Sequence, residues 1–520
     1  MIPTSTEATV RVEKSMPAAV EAVAVFLAER AGAPLGVVPA GVGEAVARVL
    51  GSGLARGKAN EVAALPLDLG AAKGPRVVLA AGVGPAEKLS VDALRCAAGA
   101  LAKAARKHGV KSLAVVLPVA DAVGAEAAAA AIVTGVLLGS FKFREYEGTV
   151  GRKKGLGDGE REPLAVTLVA EDAKVVRAAV ERARAIAEGQ NFARTIATRP
   201  GNDINPPQLA KVAQQLAKKV GLDCRVLDEK QLARLGMGGI LAVGAGSKST
   251  PPRIIILQHK PAGAKGARGK AAQAPLLVVG KAVTFDTGGI SIKPADRMQH
   301  MIFDKCGAMA VLGLMYAVAT LDLPVPVVGI LSSAENHISD RAYRPGDILR
   351  MYNGVTVEVT NTDAEGRLVL GDALAWGIET YKPAAVVDLA TLTGAIIVAL
   401  GKTMAGAMSN SDELVAEISA AAARAGEKVW RMPVGDEHRE QLKSEFADVV
   451  NSAGREASSL TAAAFLSHFV PEGTPWVHLD IAGVADTEKE TPLYAKGATG
   501  WGVRTLVEWV SGRAGHGVKA

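Results

Sequence analysis

Short apolar runs alternate with longer segments of mixed polarity along the first third of the chain. Four runs bounded by Gly or Pro predict strands, at residues 9–12, 62–67, 77–81 and 113–117. Longer segments with recurring apolar positions predict helices at residues 17–30, 91–108 and 124–141. This alternation of strands and helices predicts an α/β layer with a largely parallel sheet.

The middle of the chain predicts a change of domain. Residues 148–162 are rich in Gly and charge and predict a surface loop, which a strand at 164–170 follows. Residues 172–197 predict one long helix, and Pro200 lies just beyond its end. We therefore expect an N-terminal α/β domain over residues 1–171, a connecting helix over 172–198 and a second α/β domain over 199–520.

The second half repeats the alternation and predicts a central mixed sheet flanked by helices. Strands are predicted at residues 253–257, 276–280, 325–331, 356–360 and 384–388, and helices at 307–320 and 368–381. In such sheets the chemistry lies at the carboxyl ends of the strands. Polar, glycine-bearing segments fall at those points of the sequence.

The composition of the chain limits the classes of protein to which it can belong. The 520 residues are 49% hydrophobic and 22% charged, which is typical of a globular protein with several cores. The net charge of +6 is a mild excess for this length, so nucleic-acid binding is possible but not favoured. Three widely spaced cysteines predict no disulfide framework. The N-terminus lacks a signal-like apolar run, and we expect a cytoplasmic protein without membrane contact.

Two polar clusters follow predicted strands. The first places Lys281, Asp286 and Lys293 on a Gly-rich segment, and Asp304 opens an apolar helix further on. Each residue alone has an ordinary structural explanation: a solvated lysine, or an aspartate that caps a helix.

The second cluster carries Asp363, Glu365 and Arg367 between a strand and a helix. Four carboxylates beside buried strands are costly unless cations join them, and two divalent ions bridged by carboxylates would do so. No histidine is needed. His300 and His337 lie near the clusters, and we expect surface or loop positions for both.

The segments GKAVTFDTGGISIKP and NTDAEGRLVLGDAL closely resemble the signatures of the leucyl aminopeptidase family, the cytosol aminopeptidases. The resemblance covers roughly residues 194–509, and the first third is similar only in layout. It implies a metal-dependent aminopeptidase, with residues 199–520 as the catalytic metallopeptidase domain, that releases N-terminal, leucine-like residues from peptides. It also implies a homohexamer.

The resemblance also implies roles for single residues. Two divalent ions, Mn²⁺ or Zn²⁺, would be held by five ligands: Lys281, Asp286, Asp304, Asp363 and Glu365. Lys293 and Arg367 match the two catalytic cations, and Arg367 would hold a bicarbonate ion that acts as general base. The pocket for the first side chain would be formed by Met301, Thr391 and Gly394.

Departures from the family pattern leave other interpretations open. Ile302 replaces a usual basic residue and Lys305 a usual Met, while Ala282 and Thr287 are mild changes. We expect the Lys305 side chain to point into solvent or to a neighbouring subunit; the alternative is that it weakens metal binding or narrows the pocket. Two further functional hypotheses are a DNA-binding architectural protein and a catalytically weakened hexameric scaffold.

Overall fold

The computed structural model describes residues 2–30, 33–36, 38, 40–53, 55–67, 74–118, 122–151, 162–262 and 273–516. Most of the predicted loop at 148–162 lies outside these residues. The chain divides into two compact units: Pro3–Asn191 with Glu488–Gly497, and Phe192–Thr487 with Ala498–Ala520. The three-part division at residues 171 and 198 stays a prediction.

The first unit contains a six-stranded sheet. Its elements are β1 (Ala8–Glu13), β2 (Ala22–Glu29), α1 (Ala40–Ser52), β3 (Val62–Pro66), β4 (Val77–Pro85), α2 (Val91–Lys107), β5 (Ser112–Val116), α3 (Ala125–Gly139), α4 (Thr149–Gly151), β6 (Leu164–Val169) and most of α5 (Ala173–Thr198). The sheet order is β1-β6-β5-β2-β4-β3, and only β3 pairs antiparallel. The largely parallel sheet is therefore confirmed.

The helix predicted at residues 17–30 is wrong. Ala22–Glu29 form strand β2 between β5 and β4, and Ala22 to Ala28 are all buried. A central strand of a parallel sheet is covered on both faces, so it shows a continuous apolar run instead of an alternating one. Periodicity cannot separate such a run from a buried helix.

The second unit contains an eight-stranded mixed sheet and two small sheets. Its helices are α6 (Pro206–Val220), α7 (Glu229–Leu235), α8 (Gly238–Gly244), α9 (Cys306–Thr320), α10 (Gly366–Tyr381), α11 (Gly394–Leu400), α12 (Asp412–Ala425), α13 (Asp436–Glu440), α14 (Ser458–Ser467) and α15 (Val503–His516). Its strands are β7 (Asp223–Leu227), β8 (Arg253–His259), β9 (Leu276–Asp286), β10 (Val327–Asn336), β11 (Ile348–Arg350), β12 (Thr356–Glu358), β13 (Ala385–Ala390), β14 (Ala405–Ser409), β15 (Val429–Arg431), β16 (Val449–Val450), β17 (Trp476–Asp480), β18 (Asp486–Thr487) and β19 (Gly497–Ala498).

The large sheet has the order β15-β14-β17-β13-β9-β10-β8-β7. Strands β10, β9, β13 and β17 run parallel, so their carboxyl ends meet at one edge. That edge carries Asn336, Asp286, Ala390 and Asp480 as the last residues of the four strands. The predicted polar segments follow these strands, which places the candidate site at this edge.

The helical stretch Met298–Thr320 is long and apolar enough to cross a membrane by length and hydropathy alone. It lies against the central strands, and 78% of its apolar window is buried inside the protein. That burial is what a core helix shows.

Candidate metal centre

An irregularity in β9 brings two site residues to the same place. Lys281 and Asp286 are five positions apart, so strict alternation would turn their side chains to opposite faces. The pairing of β10 with β9 shifts register between Ala334 and Asn336, where β9 contains one extra residue. A bulge of this kind redirects the side chains that follow it. Lys281 and Asp286 therefore face the same cluster.

The Gly-rich segment after β9 is fastened to the segment that carries Asp363. Thr362 Oγ1 donates to Gly288 O (2.6 Å) and accepts from Ser291 N (2.8 Å). Gly289 has a φ of +67°, and a Cβ there would lie 2.8 Å from Thr362 Oγ1. The close approach of the two segments thus requires glycine at this position.

Asn336, the last residue of β10, completes this connection. Its Nδ2 donates to Asp286 Oδ1 (2.8 Å) and to Thr362 O (3.0 Å). Tyr343 Oη donates to the same carbonyl (2.7 Å). Asp286 is therefore oriented by hydrogen bonds from a neighbouring strand.

Lysines and carboxylates alternate within the cluster. Lys281 Nζ lies 2.8 Å from both Asp304 Oδ1 and Glu365 Oε1 and donates to Thr391 O (3.0 Å). A Cβ on Gly366 would lie 2.7 Å from Lys281 Nζ, so only glycine there leaves room for the lysine.

The second lysine bridges the other two carboxylates. Lys293 Nζ lies 2.7 Å from Asp286 Oδ2 and forms an ion pair with Asp363. Asp286, Asp363 and Glu365 each place one carboxylate oxygen within 4.8 Å of the others. The structure thus brings together six of the predicted residues: Lys281, Asp286, Lys293, Asp304, Asp363 and Glu365.

Burial and mutual repulsion raise the pKa values of Asp304, Asp363 and Glu365. Burial, joined by Asp286, raises the pKa of Glu365 to about 8. Burial also raises the pKa of Asp304 to about 6 and that of Asp363 above its usual range. Burial alone would lower the pKa of Lys281, but Asp304, Glu365 and Asp286 outweigh it, and the pKa is raised. The cluster therefore holds more negative charge than its two lysines balance.

The cluster fits metal ions on two observations. Among the residues that the structure describes, Asp304 Oδ2 and Glu365 Oε2 are buried and have no hydrogen-bond partner. Buried carboxylate oxygens are almost always paired or coordinate a metal. Oxygen ligands with one amine suit hard and borderline divalent ions such as Mn²⁺ and Zn²⁺.

Arg367 lies in the first turn of α10, beside this cluster and not within it. Its Nη1 donates to Asn451 O (2.7 Å), its side chain is buried, and its Nε has no partner. Burial lowers the pKa of Arg367 to about 10, and Glu365 and Asp480 oppose that shift. A buried guanidinium with an unused N–H can receive an anion.

The predicted pocket residues are dispersed around the same edge. Thr391 follows β13 and donates through Oγ1 to Asp304 Oδ1 (2.7 Å). Gly394 opens α11 and is exposed, with open space where a Cβ would lie. Met301 lies in the 3₁₀ helix Met298–Phe303 and is half-buried. In the described part of the chain, Thr391 contacts the cluster through its side chain, and Met301 O accepts from Asp304 N (3.3 Å).

The prediction that Lys305 points into solvent is wrong. Its side chain is fully buried, and Nζ donates to Arg199 O (2.9 Å) and to Ile302 O. Burial lowers the pKa of Lys305 to about 8. The ammonium links the chain after α5 to the 3₁₀ helix that carries Met301. Ile302 thus contributes its backbone carbonyl to the contact with Lys305.

The two histidines stay outside the cluster, as expected. His337 Nε2 lies 3.3 Å from Glu335 Oε1, and the His300 ring lies 6.3 Å from that of Phe303. Sequence reasoning assigned no role to Asn336, Asn451 or Asp480, which orient the site. Asp480 ends β17 and accepts from Leu392 N (3.2 Å) and Thr393 Oγ1 (2.7 Å). Their position at strand ends was the available signal.

Known proteins show the same organisation. The profile for the catalytic domain of the cytosol aminopeptidase family matches residues 191–507, and the profile for its N-terminal domain matches residues 22–148. The probable cytosol aminopeptidase of Aquifex aeolicus is 41% identical over 491 residues, which are 94% of this chain and 95% of the relative. The relative of the same name from Cenarchaeum symbiosum is 44% identical over 84% of this chain and 86% of its own length.

Solved structures agree. A tomato leucine aminopeptidase superposes with a TM-score of 0.83 at 31% identity, covering 97% of both chains. The bottromycin maturation enzyme BotP in complex with Mn superposes with a TM-score of 0.83 at 34% identity, covering 95% of this chain and all of the other. The fold, the clustered residues and these relatives lead to one conclusion: the chain belongs to the cytosol aminopeptidase family and is a peptidase.

Proposed function

We propose that this peptidase is a two-metal aminopeptidase that releases apolar N-terminal residues from peptides. One observation carries the proposal. Three carboxylates lie within 4.8 Å of one another in a cluster whose Asp304 and Glu365 each keep a buried oxygen without a partner. The Mn in the BotP structure and the activity named for the tomato relative support the same assignment.

Asp286 and Glu365 would be shared between two divalent ions, Mn²⁺ or Zn²⁺. Lys281 and Asp304 would complete one set of ligands, and Asp363 the other. Lys281 carries its proton in the arrangement described, so ligation requires that proton to leave. From the reference pKa of a lysine, its removal costs about 4–5 kcal/mol at pH 7, and the raised pKa of Lys281 adds to this cost until a metal ion replaces the proton; zinc sites return roughly 10–16 kcal/mol. Bound ions supply an acidified water and a polarised substrate carbonyl.

Two cations of the chain assist the chemistry. Lys293 Nζ is partly exposed beside Asp286 and Asp363, so it can donate a hydrogen bond to an oxyanion that develops on the substrate carbonyl. Arg367 would hold a bicarbonate ion through its unused Nε–H, because the carboxylates of the cluster would serve as metal ligands. This anion would accept the proton of the attacking water.

Residues at this edge of the sheet would determine which first side chain the enzyme accepts. Met301, Thr391 and Gly394 would form the wall around the first side chain, and the exposed Gly394 leaves space for a branched apolar group. A free amino terminus would be selected because it can coordinate a metal. We further propose a homohexamer, on the basis of the family resemblance alone, and a cytoplasmic location, which the relatives named as cytosol aminopeptidases support.

Metal removal tests this proposal. Exhaustive chelation should abolish hydrolysis of aminoacyl substrates, and Mn²⁺ or Zn²⁺ should restore it, with metal content measured alongside. Full activity of the metal-free protein would contradict the proposal. Light scattering on dilute protein tests the hexamer, and an active monomer would disprove it.

The Arg367→Ala variant tests whether Arg367 acts in catalysis without holding the metals. We expect this variant to keep both metals and to lose about 10²–10³ in kcat, the usual effect of removing one group that stabilises transition-state charge. KM should change less than kcat. Glu365→Gln is the comparison variant and should lose metal as well. Loss of metal from the Arg367 variant would show that its role is structural.

A further inference from the structure

An open cavity of about 860 Å³ lies on the other side of the strand end that carries Asn336. One wall is the segment after α5, with Asn202 and Asn205, and a second is the turn from Gly246 to Thr250. Glu335 and His337 form the third, and they flank Asn336 on both sides. A Cβ on Gly246 would lie 2.1 Å from His337 O, so the second and third walls meet closely.

The unpaired charge in the described lining of the cavity is positive. Glu335 is the single carboxylate among its described lining residues, and both of its oxygens are engaged, by Thr250 Oγ1 and by His337. The side chains of Asn202, Ser247 and Lys248 line the cavity without a protein partner in the described part of the chain. Because the Lys248 ammonium only donates, whereas amides and hydroxyls donate and accept, the lining favours a ligand with negative charge.

We propose that this cavity binds a small organic carboxylate, the carboxyl end of an amino acid or of a short peptide, at a site separate from the metal centre. Lys248 supplies the charge, and the asparagine amides and serine hydroxyls supply neutral donors. The volume exceeds the needs of a lone inorganic anion and accommodates a dipeptide. Small-molecule sites commonly have volumes of about 300–1,000 Å³.

Two residues connect the cavity to the metal centre: Phe285, which precedes Asp286, and Asn336, which precedes His337. The His337 ring stacks on the Phe285 ring with centroids 6.1 Å apart, and Phe285 directly precedes Asp286. Asn336, directly before His337, donates to Asp286 Oδ1 (2.8 Å). A ligand that displaces His337 thus acts on the orientation of Asp286, so occupancy of the cavity should alter turnover.

Calorimetry on the metal-loaded enzyme tests the site with blocked ligands that cannot be substrates. N-acetyl-L-leucine carries the carboxylate, and N-acetyl-L-leucinamide is its uncharged match. We expect the acid to bind at least tenfold more tightly than the amide. The blocked dipeptide N-acetyl-L-alanyl-L-leucine distinguishes a peptide end from a free amino acid as the source of the carboxylate. Tighter binding of this dipeptide than of N-acetyl-L-leucine indicates a peptide end, and weaker binding indicates a free amino acid.

Two lysine variants show where the acid binds. Lys248→Ala should weaken binding of the acid at least fivefold, whereas Lys219→Ala, an exposed lysine at the end of α6, should leave it unchanged. Equal binding by the wild type and Lys248→Ala would place the acid elsewhere, including the metal centre, and overturn the proposal. Equal binding of acid and amide would overturn it as well. These readouts do not depend on peptidase activity, so they stand apart from the proposed function.

Turnover with an aminoacyl anilide tests the connection to Asp286. The acid should change kcat/KM at least threefold in the wild type and have no such effect in Lys248→Ala. Binding without any change in turnover would overturn the connection between the two sites.

Discussion

Two groups of buried carboxylates in the second unit differ in how well they are satisfied. Asp372, Asp388 and Glu427 have hydrogen bonds to both oxygens: Asp388, for example, accepts from Trp476 Nε1 (2.7 Å) and pairs with His478 Nδ1 (2.6 Å). In the candidate metal centre, Asp304 and Glu365 each leave one buried oxygen without a partner.

Burial is similar in the two groups, so it does not distinguish them. A fully paired carboxylate stabilises the fold around it, because its loss leaves buried donors unpaired. An unpaired buried oxygen is costly and persists where a ligand completes it. The incomplete pairing of Asp304 and Glu365 therefore marks the reactive region more clearly than their charge does.

Replacing one carboxylate by an amide in each group should give opposite effects on peptidase activity and on stability. Glu365→Gln should lower peptidase activity by at least about a thousandfold, because a bound ion contributes several kcal/mol to transition-state stabilisation. It should leave the thermal midpoint of the metal-free protein nearly unchanged.

Glu427→Gln is the matched variant. It replaces a charged partner of the buried Arg504 (Nη2 to Oε1, 3.5 Å) by a neutral amide and should cost about 3 kcal/mol of unfolding free energy. Activity per folded molecule should be retained. Calorimetric scans and initial rates decide the matter, and similar losses of activity in both variants would remove the distinction between the groups.

The pH dependence of stability sharpens the comparison at Asp372. This carboxylate joins α10 to α8 and to the segment after β11 through Ile240 N (2.9 Å) and Tyr352 N (2.8 Å). Burial raises its pKa to about 7, and the backbone donors oppose that shift. The folded protein therefore binds a proton more tightly than the unfolded chain does. The resulting stabilisation is complete below pH 4 and is lost as the pH rises through 7.

From pH 5 to pH 7.5 this carboxyl should reduce the unfolding free energy by about 2.5 kcal/mol, at 1.36 kcal/mol per unit of pKa difference. Asp372→Asn removes the titration, so urea unfolding of the variant should show a correspondingly smaller loss over that interval. The exposed Asp412→Asn serves as the control. Equal pH slopes in the wild type and Asp372→Asn would mean that the carboxylate stays ionised.

The comparison also shows what could be predicted from the sequence. Strand ends followed by Gly and acidic residues pointed to the cluster that we propose as a metal centre, because parallel strands bring their carboxyl ends together. The β2 strand was mistaken for a helix, since burial on both faces removes the alternation. Asn336 ends β10 and Asn451 directly follows β16, but these positions do not show which residues they contact, because those contacts depend on pairings 50 and 90 residues distant along the chain.

Substitution of Lys305 has the smallest expected effect, and it distinguishes an action of this charge on the metal ions from a role in positioning the 3₁₀ helix. The alternative interpretation of the sequence was that a charge beside Asp304 weakens metal binding, whereas the structure directs the ammonium to the carbonyls of Arg199 and Ile302. Lys305→Met removes two charged hydrogen bonds, each worth about 1.5–3 kcal/mol, and also removes the cost of burying an ammonium.

We therefore expect Lys305→Met to lower the unfolding free energy by about 1 kcal/mol, since these contributions largely cancel. The 3₁₀ helix with Met301 loses its connection to Arg199, so KM for bulky first residues should rise two- to threefold while metal affinity changes less than threefold. Metal titration and a substrate panel measure both, and Lys219→Met controls for the loss of a lysine. If metal affinity instead rises about tenfold, equivalent to 1.4 kcal/mol, then the charge of Lys305 acts on the ions and not on the helix. An unchanged KM together with wild-type stability would show that the two hydrogen bonds do not position the pocket.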